Sequence, residues 1–282
     1  MNTTFHTRAS LAADLRAIGI DAGDSVMVHA AVGRCGPLLG GPDALIGALS
    51  DAVAASGTIL VYTDWDAAYE DLLDDSGRVP EAWREHVPPF DSERSRAIRD
   101  NGVLPEFLRT TPGARRSGNP GASVAALGAR AEAFTDDHPI DYGYGENSPL
   151  ARLVGVGGKV LMIGAPWETM TLLHHAEHLA HIPGKRMKRT EVPFATAAGV
   201  RWRFVEEFDT GSPIVDGLAE EYFEDVVRAF VATGQGRQGA VGDAPSLLVD
   251  ARAICAFAID WLERTCGRGW RHGAGTTGID NQ

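Results

Sequence analysis

Leu11, Leu15 and Ile18 recur at helical spacing through Arg8 to Ile18, and the run stops near Gly19, which predicts an amphipathic first helix. The polar turn Asp21-Ala22-Gly23-Asp24 then gives way to Ser25–Val32 (SVMVHAAV), a nearly continuous apolar run that reads as a buried strand. Gly40-Gly41-Pro42-Asp43 opens a second helix through Ala55, with Pro42 suited to a first turn. Ser56-Gly57 ends it, and Thr58–Thr63 (TILVYT) reads as another strand. Strand, glycine-rich loop, helix and strand in that order predict a βαβ unit and an α/β fold class.

The second half continues the alternation. Gly158–Gly164 is a short apolar strand, followed by a helical stretch from Thr169 to about His181 that Pro183-Gly184 closes. Phe194–Phe208 reads as a hairpin with Gly199 in its turn. Residues 216 to 233 place Leu218, Tyr222, Val226 and Phe230 on one helix face, and Ala251–Arg264 forms a last helix. There is no 20–50-residue repeat and no low-complexity linker. The expectation is a single domain over residues 1–268, with 269–282 as a flexible tail.

Composition narrows the partners. The 282 residues carry 38 acids against 26 Lys and Arg, a formal net charge of -12, which disfavours nucleic acid and anionic membranes and leaves cationic ligands open. The excess is local. Asp64–Gly77 and Phe204–Val227 together hold 14 acids and no Lys or Arg, so the remainder of the chain is nearly neutral. These segments read either as solvated faces or as the wall of a cleft for a polycation. Three cysteines without C-x-x-C spacing exclude a disulfide framework. No apolar run nears the ~18 residues of a membrane span, and Met1–Phe5 lacks the pattern of a secretory signal. The expected compartment is cytoplasmic and reducing.

Chemistry concentrates in Thr171–His178 (TLLHHAEH). On a helix His174, Glu177 and His178 share a face while His175 points elsewhere. That spacing admits a metal site, partly buried structural histidines, or a general base oriented by a carboxylate. It is not His-Glu-x-x-His, because Glu177 precedes the second histidine, and no third ligand is evident, so no metal is expected. The glycine-rich loop Val32–Gly41 lies before a helix N-terminus, a place suited to phosphate, although it is neither a Walker loop nor G-x-G-x-x-G. Arg115–Ser123 supplies two cations and two hydroxyls, and Gly184–Arg189 reads as a basic, solvated helix end.

HAAVGRCGPLLGG, YTDWDAAYED, PGARRSGNPGAS, GYGENSPLARL, GGKVLMIGAP, TLLHHAEHLAHIPGKR and EEFD occur in this order. Together they resemble the aminoglycoside 3-N-acetyltransferases, over roughly residues 7 to 265, and D-W-D-x-x-Y-E resembles the gentamicin-type branch. The resemblance implies a central mixed sheet flanked by helices and transfer of acetyl from acetyl-CoA to the 3-amino group of 2-deoxystreptamine aminoglycosides. It makes His174 the catalytic base, Glu207 the acid paired with it, and Thr171 a hydroxyl near the thioester. Ala31, Val32, Gly33 and Arg34, with Arg115, Ser117 and Ser123, become the coenzyme grip. Asp64, Asp66, Tyr69, Glu70, Glu177 and Asp209 become the aminoglycoside grip. A neutral imidazole suits the removal of a proton from an amine, and a carboxylate would fix its tautomer.

The chain departs from that family pattern at Asn119, where a histidine is usual, at Ala31, where a serine is usual, and at Asn147, where a glycine or other small residue is usual. A monomer or homodimer is expected. Two other functions stay open at this stage: acetylation of a different small amine, and sequestration of aminoglycosides without chemistry.

Overall fold

A computed structural model describes residues 4–65, 68–210 and 213–267. Its helices and strands are α1 (Arg8–Ile18), β1 (Ser25–Ala30), α2 (Gly41–Val53), β2 (Thr58–Tyr62), α3 (Leu104–Thr110), β3 (Arg115–Arg116), β4 (Val124–Gly128), α4 (Ala131–Thr135), α5 (Pro149–Gly155) and β5 (Lys159–Ile163). They continue with α6 (Leu172–Leu179), β6 (Met187–Thr196), β7 (Gly199–Phe208), α7 (Tyr222–Ala232), β8 (Arg237–Val241), β9 (Ala244–Asp250) and α8 (Ala251–Cys266). The first helix has the ends its sequence predicts: Thr7 caps it by accepting from the Ser10 N–H at 3.1 Å, and Gly19 leaves it in the left-handed conformation.

Among the described residues the strands form a seven-stranded sheet of order β3-β4-β2-β1-β5-β9-β8 and a separate β6-β7 ribbon. β1 pairs in parallel with β2 and β5 at the centre, and the outer pairings are antiparallel, so the sheet is mixed. Alternation along β1 explains its apolar run. Val26, Val28 and Ala30 face α1, α2 and α3, whereas Met27 faces the layer of α4 to α8. Each fully buried large side chain in these layers, such as Leu45 or Phe230, contributes about 1.5–3 kcal/mol.

The carboxyl ends of β1, β2 and β5 therefore emerge together, the usual location of a site in such a sheet. A third small core, with Trp65, Tyr69, Phe90 and Val192 at its centre, holds the β6-β7 ribbon over that edge. Inside it the Glu191 carboxylate is buried against Arg84, 2.9 Å away.

Several boundaries differ from the sequence reading. β1 stops at Ala30 because Val32–Cys35 turn into a short 3₁₀ helix. α6 starts at Leu172, after a separate 3₁₀ turn at Trp167–Thr169, and α7 starts at Tyr222. The basic run expected to end a helix instead leads into β6, so the hairpin's first arm begins at Met187. Its turn requires φ +109° at Gly199, a conformation that glycine adopts without strain. β8 escaped prediction because, at the sheet edge, four of its five residues are exposed and polar or small. Asp66 and the tail 269–282 lie outside the described residues. No helix among the described residues is long and apolar enough to cross a membrane.

Candidate active site

Leu172, Leu173 and Ala176 bury one side of α6 in the core, and the same helix carries His174 and Glu177 one turn apart. The His174 Nδ1 lies 2.6 Å from Glu177 Oε2. An ionised carboxylate only accepts, so this pair fixes the imidazole proton on Nδ1 and leaves the Nε2 lone pair available. Glu177 is buried, and its other oxygen accepts a hydrogen bond from the Tyr222 hydroxyl on α7. The imidazole is held between the rings of Tyr144 and Phe223, with centroids 4.9 and 4.8 Å away. His175 points elsewhere, as its helical position predicts, and bonds the Tyr144 carbonyl at 2.7 Å.

Glu207, expected as the acid on His174, does not make that pair. Its carboxylate accepts the backbone N–H groups of Phe208 at 2.8 Å and Tyr144 at 3.4 Å. Burial raises its pKa, while those backbone bonds and the nearby His174 act in the opposite direction. Glu177, expected to grip substrate, is instead committed to His174 and Tyr222, although it also lines a 350 Å³ cavity that His174 shares.

Glu207 belongs to a larger cleft of about 530 Å³, walled also by Asp64, Tyr69, Glu70, Asp71 and Asp100. One base, Lys188 of β6, is among the lining residues, and its Nζ lies 2.5 Å from Glu70 Oε2. Tyr69 presents its ring to the cleft while its hydroxyl donates to the Glu191 carbonyl at 3.2 Å. The hydroxyls of Tyr62 and Tyr144 lie 2.7 Å apart at the cleft wall and each 2.9 Å from the Gly121 carbonyl, so one donates to that carbonyl while the other donates to its neighbour. Asp209 follows β7, and its backbone N–H donates to the Arg186 carbonyl at 3.0 Å.

Asp64 is held in an uncommon backbone conformation, φ +47°. Its carbonyl accepts from the Arg116 guanidinium and from the Ser123 hydroxyl, and its carboxylate accepts the Trp65 N–H at 2.6 Å. Burial pushes the Asp64 carboxyl up to about 7, with the Trp65 N–H opposing that rise. Arg116 itself is braced by the Ser95 carbonyl at 2.5 Å and lies over the Phe90 ring.

The residues expected to hold coenzyme have different surroundings, and Tyr62, which lines a cavity with Ala31, links the two segments through the Gly121 carbonyl. Ala31 lines a narrow cavity of about 140 Å³ at the end of β1, and Gly33 and Arg34 are exposed beside it. Val32 packs partly against the core of α1 and α2, and Arg34 reaches the Gly164 carbonyl at 2.8 Å. Arg115, by contrast, pairs with Asp136 at 3.0 Å near the far edge of the sheet. Ser117 and Ser123 are fully buried: the first bonds His138 at 2.8 Å and the Val124 N–H at 3.0 Å, and the second accepts from Thr63 at 3.0 Å and Arg116 at 3.1 Å. Their hydroxyls serve the scaffold. Thr171 is buried at the start of α6, with its hydroxyl directed to the Thr169 carbonyl at 3.5 Å; Thr169 is the threonine that lines the narrow cavity.

The site thus joins a histidine with a carboxylate behind it to a neighbouring cleft lined by several acids. The model of one family, described as aminoglycoside 3-N-acetyltransferase, matches residues 27–263. The chain belongs to the aminoglycoside 3-N-acetyltransferase family. An aminoglycoside N(3)-acetyltransferase III from Pseudomonas aeruginosa is 44% identical over 93% of this chain and 95% of its own. A solved structure of AAC-IIIb in a binary complex with CoASH is 69% identical, with a TM-score of 0.93, over 95% of this chain and 100% of its own. AAC-VIa bound to sisomicin is 36% identical, with a TM-score of 0.87, over 93% of this chain and 98% of its own.

As an aminoglycoside 3-N-acetyltransferase, the chain has two departures that the fold explains. Asn119 replaces the usual histidine and donates to the Pro139 and Ile140 carbonyls while accepting the Ala122 N–H at 2.8 Å, so it holds the cleft wall. Asn147 occupies φ +66°, where asparagine is among the best-tolerated residues after glycine. Nothing in the structure explains alanine at position 31. Sequence reasoning missed Lys188, Tyr144 and Tyr222 as site residues. Tyr222 carried only a helical-face signal, and Lys188 was hidden in a run read as solvated.

Proposed function

We propose that His174 is the general base of a direct acetyl transfer within a ternary complex, with Glu177 and Tyr222 holding it and the acid-lined cleft holding the aminoglycoside. The observation that carries this reading is the 2.6 Å His174–Glu177 pair on the 350 Å³ cavity, which shares Thr210 with the acid-lined cleft. The family reaction moves acetyl from acetyl-CoA to the 3-amino group of a 2-deoxystreptamine aminoglycoside. CoASH in one relative and sisomicin in another fit these donor and acceptor roles. Mere sequestration of an aminoglycoside would require the carboxylates but not the base.

An ammonium group must lose a proton before its nitrogen can attack, and that first proton passes to solvent, the net proton that the transfer releases. The free amine attacks the thioester carbon, the carbonyl pair moves to oxygen, and His174 Nε2 takes the second amine proton as the C–N bond forms. Collapse expels the coenzyme thiolate, which receives that proton. Glu177 stabilises the transient imidazolium, a role a carboxylate fills without itself being protonated. Carboxylates at Asp64, Glu70, Asp71, Asp100 and Glu207 hold the ammonium groups that do not react, and the D-W-D-x-x-Y-E segment makes gentamicin-type compounds the class we take as preferred. The cysteines described are free thiols, which accords with a reducing cytoplasm, and we place the reaction there.

The test is acetyl-CoA-dependent thiol release with a panel of aminoglycosides, followed by NMR of the product. Acetyl on the 3-amino nitrogen supports the assignment. Acetyl elsewhere, or full turnover by His174→Ala, overturns it.

A further inference from the structure

His29 and Asn101 line the same cavity, and each has a buried side-chain nitrogen, Nε2 and Nδ2, that finds no hydrogen-bond partner among the described residues. A buried nitrogen left unpaired is unfavourable, and two at one place call for a common ligand. The cavity is the narrow one at the end of β1, about 140 Å³, with Ala30, Ala31, Gly102, Pro105 and Pro166 among its walls. Small and apolar walls of that size suit an unbranched chain. Tyr62 and Asp100 line both this cavity and the acid-lined cleft, so the two spaces adjoin.

His29 is fixed there by strand periodicity. Met27 faces the layer that contains α6, and His29, two residues on, projects to the same side. His174 is near enough for its charge to oppose protonation of His29. An amide nitrogen donates, and a neutral imidazole with its proton on Nε2 donates as well. The complementary ligand atom is an oxygen with free lone pairs, at the meeting point of a thin acyl-carrying arm and a cationic acceptor.

We propose that His29 Nε2–H and Asn101 Nδ2–H hold the carbonyl oxygen of the acyl thioester and stabilise the negative charge it gains during transfer. This rests on the acetyl-transfer reading above. As the amine nitrogen bonds to the carbonyl carbon, the π pair moves onto that oxygen; when the C–S bond breaks, the pair returns and the thiolate departs. Donors placed at the developing oxyanion act where charge appears. Burial depresses His29 to about 4, so near neutral pH it is a neutral donor and does not compete with His174 for the amine proton.

The experiment compares wild type with His29→Ala, His29→Gln and Asn101→Ala. Affinities are measured calorimetrically for CoASH and for the non-transferable acetyl-CoA analogue in which methylene replaces the thioester sulfur. The carbonyl stretch of bound, ¹³C-labelled acetyl-CoA is read by infrared spectroscopy without acceptor. Wild type is expected to prefer the ketone and to shift the stretch to lower frequency. Both alanine variants should lose that preference and shift, with kcat roughly 10- to 100-fold lower and acceptor KM within about twofold. His29→Gln should restore part of each.

An unshifted stretch in wild type, or a retained preference in both alanine variants, overturns the proposal. Equal loss of affinity for both ligands also overturns it, because it marks a scaffold role. If His29→Ala does not fold, Asn101→Ala and His29→Gln decide the matter. Because the binding and infrared readouts need no acceptor, failure of this proposal is distinguishable from failure of the aminoglycoside assignment.

Discussion

Glu177 Oε2 lies 2.6 Å from His174 Nδ1, one turn along the same helix, while Glu207 of the neighbouring ribbon is tied to backbone N–H groups. The carboxylate that meets the imidazole is thus local to it. The more distant acid lines the larger cleft.

Glu177→Gln should therefore damage catalysis more than Glu207→Gln. We expect kcat to fall on the order of 10²-fold or more for Glu177→Gln, with both KM values little changed. Glu207→Gln should mainly raise acceptor KM. Steady-state kinetics with each substrate varied will check this; the reverse ranking would restore Glu207 as the partner of the base.

His174→Ala should lower kcat by roughly 10²–10⁴-fold while binding of the aminoglycoside persists. Calorimetry on the variant measures the second half of that statement. Loss of acceptor binding together with turnover would show that the histidine holds the substrate and does not merely deprotonate it.

Lys188 occupies an otherwise acidic wall and neutralises Glu70 at 2.5 Å. A cationic acceptor must compete with it. Lys188→Gln is expected to lower acceptor KM by up to about fivefold at low salt, the scale of a half-exposed ion pair, with acetyl-CoA KM unchanged. The gain should shrink at high salt as screening grows. A raised KM would mean that Lys188 positions Glu70 and does not oppose the substrate.

Asp64 should make both acceptor binding and stability depend on pH. Its carboxyl is raised to about 7 by burial, so the folded state holds a proton that the unfolded chain has released above about 4. The associated stability is complete below the unfolded value and is lost as pH rises through the folded one, at most about 1.4 kcal/mol per pH unit. Thermal unfolding of Asp64→Asn should consequently depend less on pH between 4 and 7 and exceed wild type at pH 8. In wild type, acceptor KM should fall as pH rises through about 7, because the ionised form attracts ammonium. Parallel melting curves for the two proteins would refute the buried titration.

The sequence by itself determined the α/β class, the parallel β1-β2 pair with its helical crossover, and the placement of His174 and Glu177 on one helix face. All are short-range consequences of period and spacing. It also located the acid-rich segments. What it could not determine is which acid meets His174, since spacing permits the Glu177 contact while the family likeness pointed to Glu207. Only tertiary packing brings Tyr222 of α7 onto Glu177, 45 positions away, and Tyr144 against the imidazole. The same holds for Lys188, whose basic run looked solvated until the ribbon turned it toward Glu70, and for Ser117 and Ser123, whose hydroxyls the scaffold consumes. Helical and strand periods report which face a side chain occupies. What lies across from that face depends on long-range packing, which no local pattern encodes.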